Sequence, residues 1–206
     1  MSVTLHTTHG PLKLELFCTA CPKTTYNFLA LCASSAYDSS PFHRSIPSFM
    51  LQGGSPASGT VKDNPSIYGA PFEDEIRSAL RHDKRGMLSM ANKGAGTNGS
   101  QFFVTYGEAR HLDGKNCVFG RVLEGWETLD AIEGIAVDKK NRPLEKVMIE
   151  RVVVHANPLY GGGGADGDGG ETASPAKKGA GKKREGSDDD GNAEEGDESA
   201  TPAKKQ

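Results

Sequence analysis

The feature that most constrains this chain is a break in composition at Tyr160. Up to that residue aromatic, branched and polar side chains alternate, whereas from Gly161 to Gln206 the only apolar residues are alanines, set among Gly, Ser, Lys, Asp and Glu. Such a stretch buries too little apolar surface to offset the entropy of ordering it. The sequence therefore predicts one folded domain over 1–158 and a disordered tail over 159–206. A domain of about 160 residues is large enough for a well-buried core.

The charge is distributed along the same division. Of 24 basic and 27 acidic residues, 17 and 16 precede Gly161 and 7 and 11 follow it, giving +1 for the first part and −4 for the second. A near-neutral domain offers no basic face for nucleic acid, so direct nucleic-acid binding is not expected. No apolar run approaches the ~20 residues that cross a bilayer, and MSVTLHTTHG lacks the basic and apolar regions of a secretory leader. These features predict a soluble, intracellular protein. The four cysteines, Cys18, Cys21, Cys32 and Cys117, are too few for a disulfide scaffold and read as reduced thiols. Cys18 and Cys21 have the spacing of a redox pair or half a zinc site, but nothing completes a metal site, so neither metal nor cofactor is expected.

Periodicity gives the elements. Val3, Leu5 and Thr7, then Leu12, Leu14 and Leu16, alternate on either side of His9-Gly10-Pro11, which is the pattern of two half-buried strands joined by a turn. Pro22 suits a first helical position, and Phe28, Leu31 and Cys32, with Tyr26 and Leu29 beside them, recur at helical spacing as far as Ser34-Ser35. Short apolar segments follow near 49–52, 87–90, 102–106, 117–123 and 147–154, separated by Gly, Pro, Asn and Ser, as in a mainly β sandwich or barrel. Trp126, Leu129 and Ile132 mark a second helix that Gly134 is placed to end.

Two stretches carry more. FHRSIPSFMLQGG runs from Phe42 to Gly54, and GMLSMANKGAGTNGSQFF from Gly86 to Phe103; SIYGAPFEDE (Ser66 to Glu75) and HLDGKNCVFGRV (His111 to Val122) accompany them in order. Together they resemble the signature stretches of the cyclophilins, and the resemblance extends from the first hairpin to about Asn157. MSVTLHTTHG, NFLALCAS and VVVHANP are similar to the peptidyl-prolyl isomerase-like proteins associated with the spliceosome. The resemblance implies a closed eight-stranded antiparallel barrel capped by two α-helices, with a substrate groove outside a filled interior. It also implies a prolyl isomerase that assists folding, proline-containing peptides and proteins as partners, and possible spliceosomal partners. The alternative is a non-catalytic adaptor that grips a proline segment of a spliceosomal complex. A closed barrel without a free edge implies a monomer.

Isomerising an Xaa-Pro bond means twisting an amide over a barrier of about 18 to 20 kcal/mol, which requires neither nucleophile nor metal, only preferential binding of the twisted form. Arg44 alone reads as a surface arginine in an ion pair. In the FHR context the resemblance makes it the electrostatic catalyst, a permanently charged fork donating to the proline carbonyl and towards the amide nitrogen. Gln52 is implied as the residue that orients Arg44 and touches the peptide backbone. Phe49, Met50, Phe103 and Leu112 are implied as the proline-ring pocket, although their spacing alone reads as barrel core. Ala91, Asn92 and Gln101 are implied to meet the peptide on the amino side of its proline, and His111 to stand at the groove edge. His111 replaces the tryptophan, and Asn116 the histidine, of many members, so weakened cyclosporin binding is expected with catalysis less affected. In the tail, Lys177-Lys178 and Lys182-Lys183-Arg184 read as a nuclear localisation signal or interaction arm, and otherwise as part of a solubilising extension; a nuclear rather than exclusively cytoplasmic location is expected.

Overall fold

The first sixteen residues fold as their alternation predicts. Strands β1 (Ser2–Thr7) and β2 (Gly10–Leu16) pair antiparallel, with Val3 opposite Leu14 and Leu5 opposite Leu12. All four side chains are fully buried. Helix α1 (Pro22–Ala33) opens on Pro22, where the missing N–H costs nothing. It buries Phe28, Leu29, Leu31 and Cys32 and stops at Ser34, after which Ser35 turns to φ 57°. Tyr26 lies off this stripe, 46% exposed.

Seven further strands follow: β3 (Ser40–Pro41), β4 (Arg44–Ile46), β5 (Met50–Gly53), β6 (Met87–Met90), β7 (Phe102–Thr105), β8 (Val118–Glu124) and β9 (Met148–Val154). Helix α2 (Trp126–Glu133) separates the last two and buries Leu129 and Ile132. Trp126 is 40% exposed, so it does not belong to the buried stripe that its spacing suggested. Gly134 does follow the last turn, but at φ −71°, so its left-handed freedom is unused.

The computed structural model describes residues 1–57, 60 and 62–155. The expected disordered tail over 159–206, with its basic clusters, lies outside the described residues. Among those described, the strands form one antiparallel sheet in the order β3-β9-β1-β2-β8-β6-β7-β5-β4. Nine strands replace the eight implied by the resemblance, because segment 40–46 contributes two short ones. Its ladder breaks at Phe42-His43, where Phe42 N donates to Val147 O at 2.8 Å, and Ser45 N beyond the break donates to Asn141 O at 2.8 Å. The two edge strands are thus consecutive in the chain. Pro41 and Arg44 are three residues apart, a reach of about 11 Å at most, so the sheet has to curl until its edges are close.

Inside the curl lie Phe28, Tyr37, Phe42, Phe102 and Phe119. Phe28 meets Tyr37, Phe102 and Phe119, each at 5.3 Å between ring centroids, and Tyr37 and Phe42 meet Phe102 at 5.5 and 6.1 Å. Edge-on and tilted rings of this kind add about 0.5–1.5 kcal/mol per pair to the burial itself. The Tyr37 hydroxyl donates to Ser100 O at 2.8 Å, so this buried polar group is satisfied.

Candidate active site

Cross-strand register decides which side chains share a face of the sheet. Arg44 on β4 is opposite Gln52 on β5, Gln52 is opposite Phe103 on β7, and Phe103 is opposite Ser89 on β6. Residues directly opposite point the same way and neighbours along a strand point the other way, so these four form one row on one face. Ile46, Met50 and Thr105 form the next row on that face. Beyond the first row, Ala91 N donates to Gln101 O at 3.0 Å, which continues the register. The intervening rows, Ser45-Leu51-Val104-Leu88 and Gly53-Phe102-Met90, face the opposite way. Leu51, Val104, Leu88, Phe102 and Met90 are all in the aromatic and aliphatic core; Met50 and Phe103 are buried but are not part of it. The residues expected to form the pocket therefore alternate with core residues along the same strands and lie on the outer face.

Arg44 is exposed, and among the described residues its guanidinium makes no hydrogen bond or ion pair. Its backbone is well fixed. Besides the pairing with β5, the next residue, Ser45, is fully buried and shares a 2.9 Å hydrogen bond with the Tyr106 hydroxyl. Burial pushes that phenol up to about 12, so it stays protonated at neutral pH. The strand is held from inside while the charged fork remains uncommitted outside.

Gln52 does not orient Arg44 through its amide. Although the two are register partners, Gln52 Nε2 donates to Gln101 Oε1 at 3.0 Å. Gln101 is gripped in turn by the loop at 63–64, with its N donating to Asn64 Oδ1 at 2.7 Å and its Nε2 to Asp63 O at 2.9 Å. Nothing in the sequence singled out Asp63 or Asn64, since no spacing signal connects them with residues nearly 40 positions away. Asn92 uses its side-chain amide structurally, donating to Asp74 Oδ1 at 3.0 Å and Lys115 O at 2.9 Å. Asn116 likewise donates to Met90 O at 3.0 Å.

At the other end, the rings of Phe49 and His111 lie 5.2 Å apart, and Leu112 follows His111 in the 3₁₀ turn Arg110–Leu112. Phe103 is backed by His82, whose ring stacks on it at 5.9 Å and 13°. His82 is fully buried and held at both nitrogens, Nδ1 at 2.9 Å from Asp113 Oδ1 and Nε2 at 3.1 Å from Ser89 Oγ. Burial pushes its pKa below the usual histidine value, against the upward pull of Asp113. His82 is thus a structural residue that holds the ring of Phe103 from behind.

An exposed cation beside an apolar outer floor, on a curled sheet with a filled interior, is an arrangement that comparison with known proteins can place. Residues 2–154 match the family described as cyclophilin type peptidyl-prolyl cis-trans isomerase/CLD. The chain belongs to the cyclophilin-type isomerases. Relatives called peptidyl-prolyl cis-trans isomerase-like 3 include one from Gibberella zeae, 62% identical over 78% of this chain and 100% of that protein. The human one is 54% identical over 77% of this chain and 99% of that protein. Among solved structures, a cyclophilin-type isomerase of Cryptosporidium parvum, crystallised in the presence of the dipeptide Ala-Pro, is similar with a TM-score of 0.73 and 45% identity. The match covers 76% of this chain and 100% of that one. Among the described residues no helix is long and apolar enough to cross a membrane, and no cluster of three metal-binding side chains occurs.

Proposed function

We propose that this cyclophilin-type domain catalyses cis-trans isomerisation of Xaa-Pro bonds in peptides and proteins through the outer groove built on β4, β5, β6 and β7. The observation that carries this reading is the row Arg44-Gln52-Phe103, which sets a free guanidinium two strands from an aromatic floor. A proline ring seated on Phe103, Met50, Phe49 and Leu112 loses apolar surface to water without needing a hydrogen-bond partner there. Arg44 then donates to the carbonyl of the proline residue and towards its ring nitrogen, which regains a lone pair only as the amide twists. The interaction is strongest midway between the planar forms, and that difference lowers the barrier. Gln101, braced by Gln52 and the 63–64 loop, lines the side where the residues before the proline lie, with the Asn92 backbone beside it. The Ala-Pro dipeptide used with the Cryptosporidium relative supports a proline-containing ligand for this groove.

Segment 40–46, taken as one strand bent at Phe42-His43, supports the eight-stranded closed barrel expected from the sequence, and edge strands as short as β3 and β4 favour a monomer. A nuclear location and spliceosomal partners belong to the same proposal. They rest on kinship with the isomerase-like relatives and on the tail's basic clusters, and comparing the localisation of the full chain with that of residues 1–158 tests the first.

The deciding assay follows cis-to-trans exchange of an Ala-Pro tetrapeptide with wild type and Arg44→Ala at equal concentration. Loss of one preorganised donor of this kind costs roughly 2.7–4 kcal/mol, on the order of a hundredfold or more in rate. Acceleration by wild type that nearly vanishes in the variant is the expected result. No acceleration by folded wild type would leave the non-catalytic proline-peptide adaptor as the function.

A further inference from the structure

Two cysteines far apart in sequence meet beside α1. Cys21 immediately precedes α1 as its N-cap, and Cys117 immediately precedes β8, 96 positions later. Their Sγ atoms are 3.7 Å apart and both residues are fully buried. No comparable contact joins Cys18 to Cys21 among the described residues, so the C-x-x-C spacing misdirects: the partner of Cys21 is Cys117.

The surroundings hold the two sulfurs together. Glu75 O lies 3.3 Å from Cys117 Sγ and 3.5 Å from Cys21 Sγ, and Thr24 Oγ1 is 3.6 Å from Cys117 Sγ. The Glu75 carboxylate accepts from Lys23 N and Thr24 N at 3.2 and 2.7 Å, so the same residue straps the first turn of α1 over the pair. Cys117 Sγ donates to Cys21 Sγ, and burial pushes the Cys21 thiol above its usual range. A disulfide needs the sulfurs about 2.0 Å apart, a closure of under about 2 Å from the 3.7 Å seen here.

We propose that Cys21 and Cys117 form an intramolecular disulfide when the protein meets hydrogen peroxide, locking the start of α1 to the start of β8. The thiolate of one cysteine attacks one oxygen of the peroxide; the O–O bond breaks, hydroxide leaves and takes up a proton as water, and that cysteine becomes a sulfenic acid. The other sulfur then displaces the sulfenic oxygen, which departs with that thiol's proton as a second water. Two thiols lose two electrons and peroxide gains them. The link reaches towards the groove, because Cys117 O accepts from Ser89 Oγ at 2.9 Å and Met90 N at 3.0 Å on the strand beside Phe103.

The full chain is treated with a small molar excess of hydrogen peroxide, free thiols are alkylated after denaturation, and peptides are mapped by mass spectrometry. A linked peptide pair containing Cys21 and Cys117, lighter by about 2 Da than its reduced parts and restored by dithiothreitol, is expected. The oxidised protein should melt at least about 5 °C higher, since the link closes a loop of nearly a hundred residues. A Cys18–Cys21 link, oxidation of Cys117 to the sulfinic acid without a link, or four alkylated thiols would each overturn the proposal. A linked protein that melts lower would overturn the locking role. Cys21→Ala should abolish the product; should that variant not fold, the wild-type peptide map decides alone.

Discussion

Phe102 and Phe103 are adjacent on β7, both are buried, and they face opposite ways. Replacing each by alanine therefore separates fold from site. Phe102 is fully buried and touches the rings of Phe28, Tyr37 and Phe42. Its removal leaves a cavity bounded by rigid rings that cannot collapse, which places it near the top of the range for Phe→Ala, about 4–5 kcal/mol. At about 2–4 °C per kcal/mol for a domain of this size, the melting temperature should fall by roughly 10–20 °C. Phe103 is backed by His82 on one side and opens to the groove on the other, so water can enter the space it vacates, and a loss of about 2–3 kcal/mol is expected. Turnover should show the reverse order. At a temperature where both variants are folded, kcat/KM for an Ala-Pro peptide should stay within about threefold of wild type for Phe102→Ala. It should fall roughly 10- to 30-fold for Phe103→Ala, equivalent to about 1.4–2 kcal/mol of lost ring contact in the transition state. Protease-coupled isomerisation and thermal unfolding monitored by circular dichroism supply the two readouts; if Phe102→Ala does not fold, Phe102→Leu takes its place. Equal activity losses in the folded variants, or unchanged turnover in Phe103→Ala, would refute the two-faced reading of β7.

Three further outcomes are expected. Burial lowers the pKa of His82 below that of the unfolded chain, so between about pH 6.5 and the folded-state value the unfolded chain binds more protons and stability falls as pH drops. Urea titrations from pH 7 to 5 should show this decline, with a shallower slope in His82→Gln; identical slopes would remove His82 as a source. Gly54 lies at φ +86°, and a Cβ there would come within 2.6 Å of Ser100 O and 2.8 Å of Phe102 Cδ1, so Gly54→Ala should cost about 2 kcal/mol or more. A calorimetric melting temperature lowered by less than about 4 °C would contradict this. With His111, not an indole, beside Phe49 at the groove edge, submicromolar cyclosporin should leave much of the isomerase activity intact, and full inhibition in a dose-response titration would refute that.

Much of the architecture was legible in the sequence. The alternation of Val3, Leu5, Leu12 and Leu14 determines a hairpin whatever the hairpin packs against, because a period of two puts those side chains on one face. Pro22 and the Phe28, Leu31, Cys32 spacing determine α1 in the same local way. The candidate site was legible only through its long motifs. The strands β6 and β7 are buried on both faces, MLSM and FFVT throughout, so they carry no alternation to show which side chains line a groove and which fill the core.

The sequence by itself determined the local elements and the family, since both rest on residues close together along the chain. Tertiary structure decided the rest. Register across β4, β5, β7 and β6 placed Arg44, Gln52 and Phe103 in one outer row and Leu51, Val104 and Phe102 inside. Folding gave Gln52 a partner in Gln101 instead of Arg44, set His82 behind Phe103, and paired Cys21 with Cys117 instead of its near neighbour Cys18. Each of these contacts joins residues 21 to 96 positions apart, and which of them form is decided by how the sheet curls and where its strands register, which spacing along the chain does not encode.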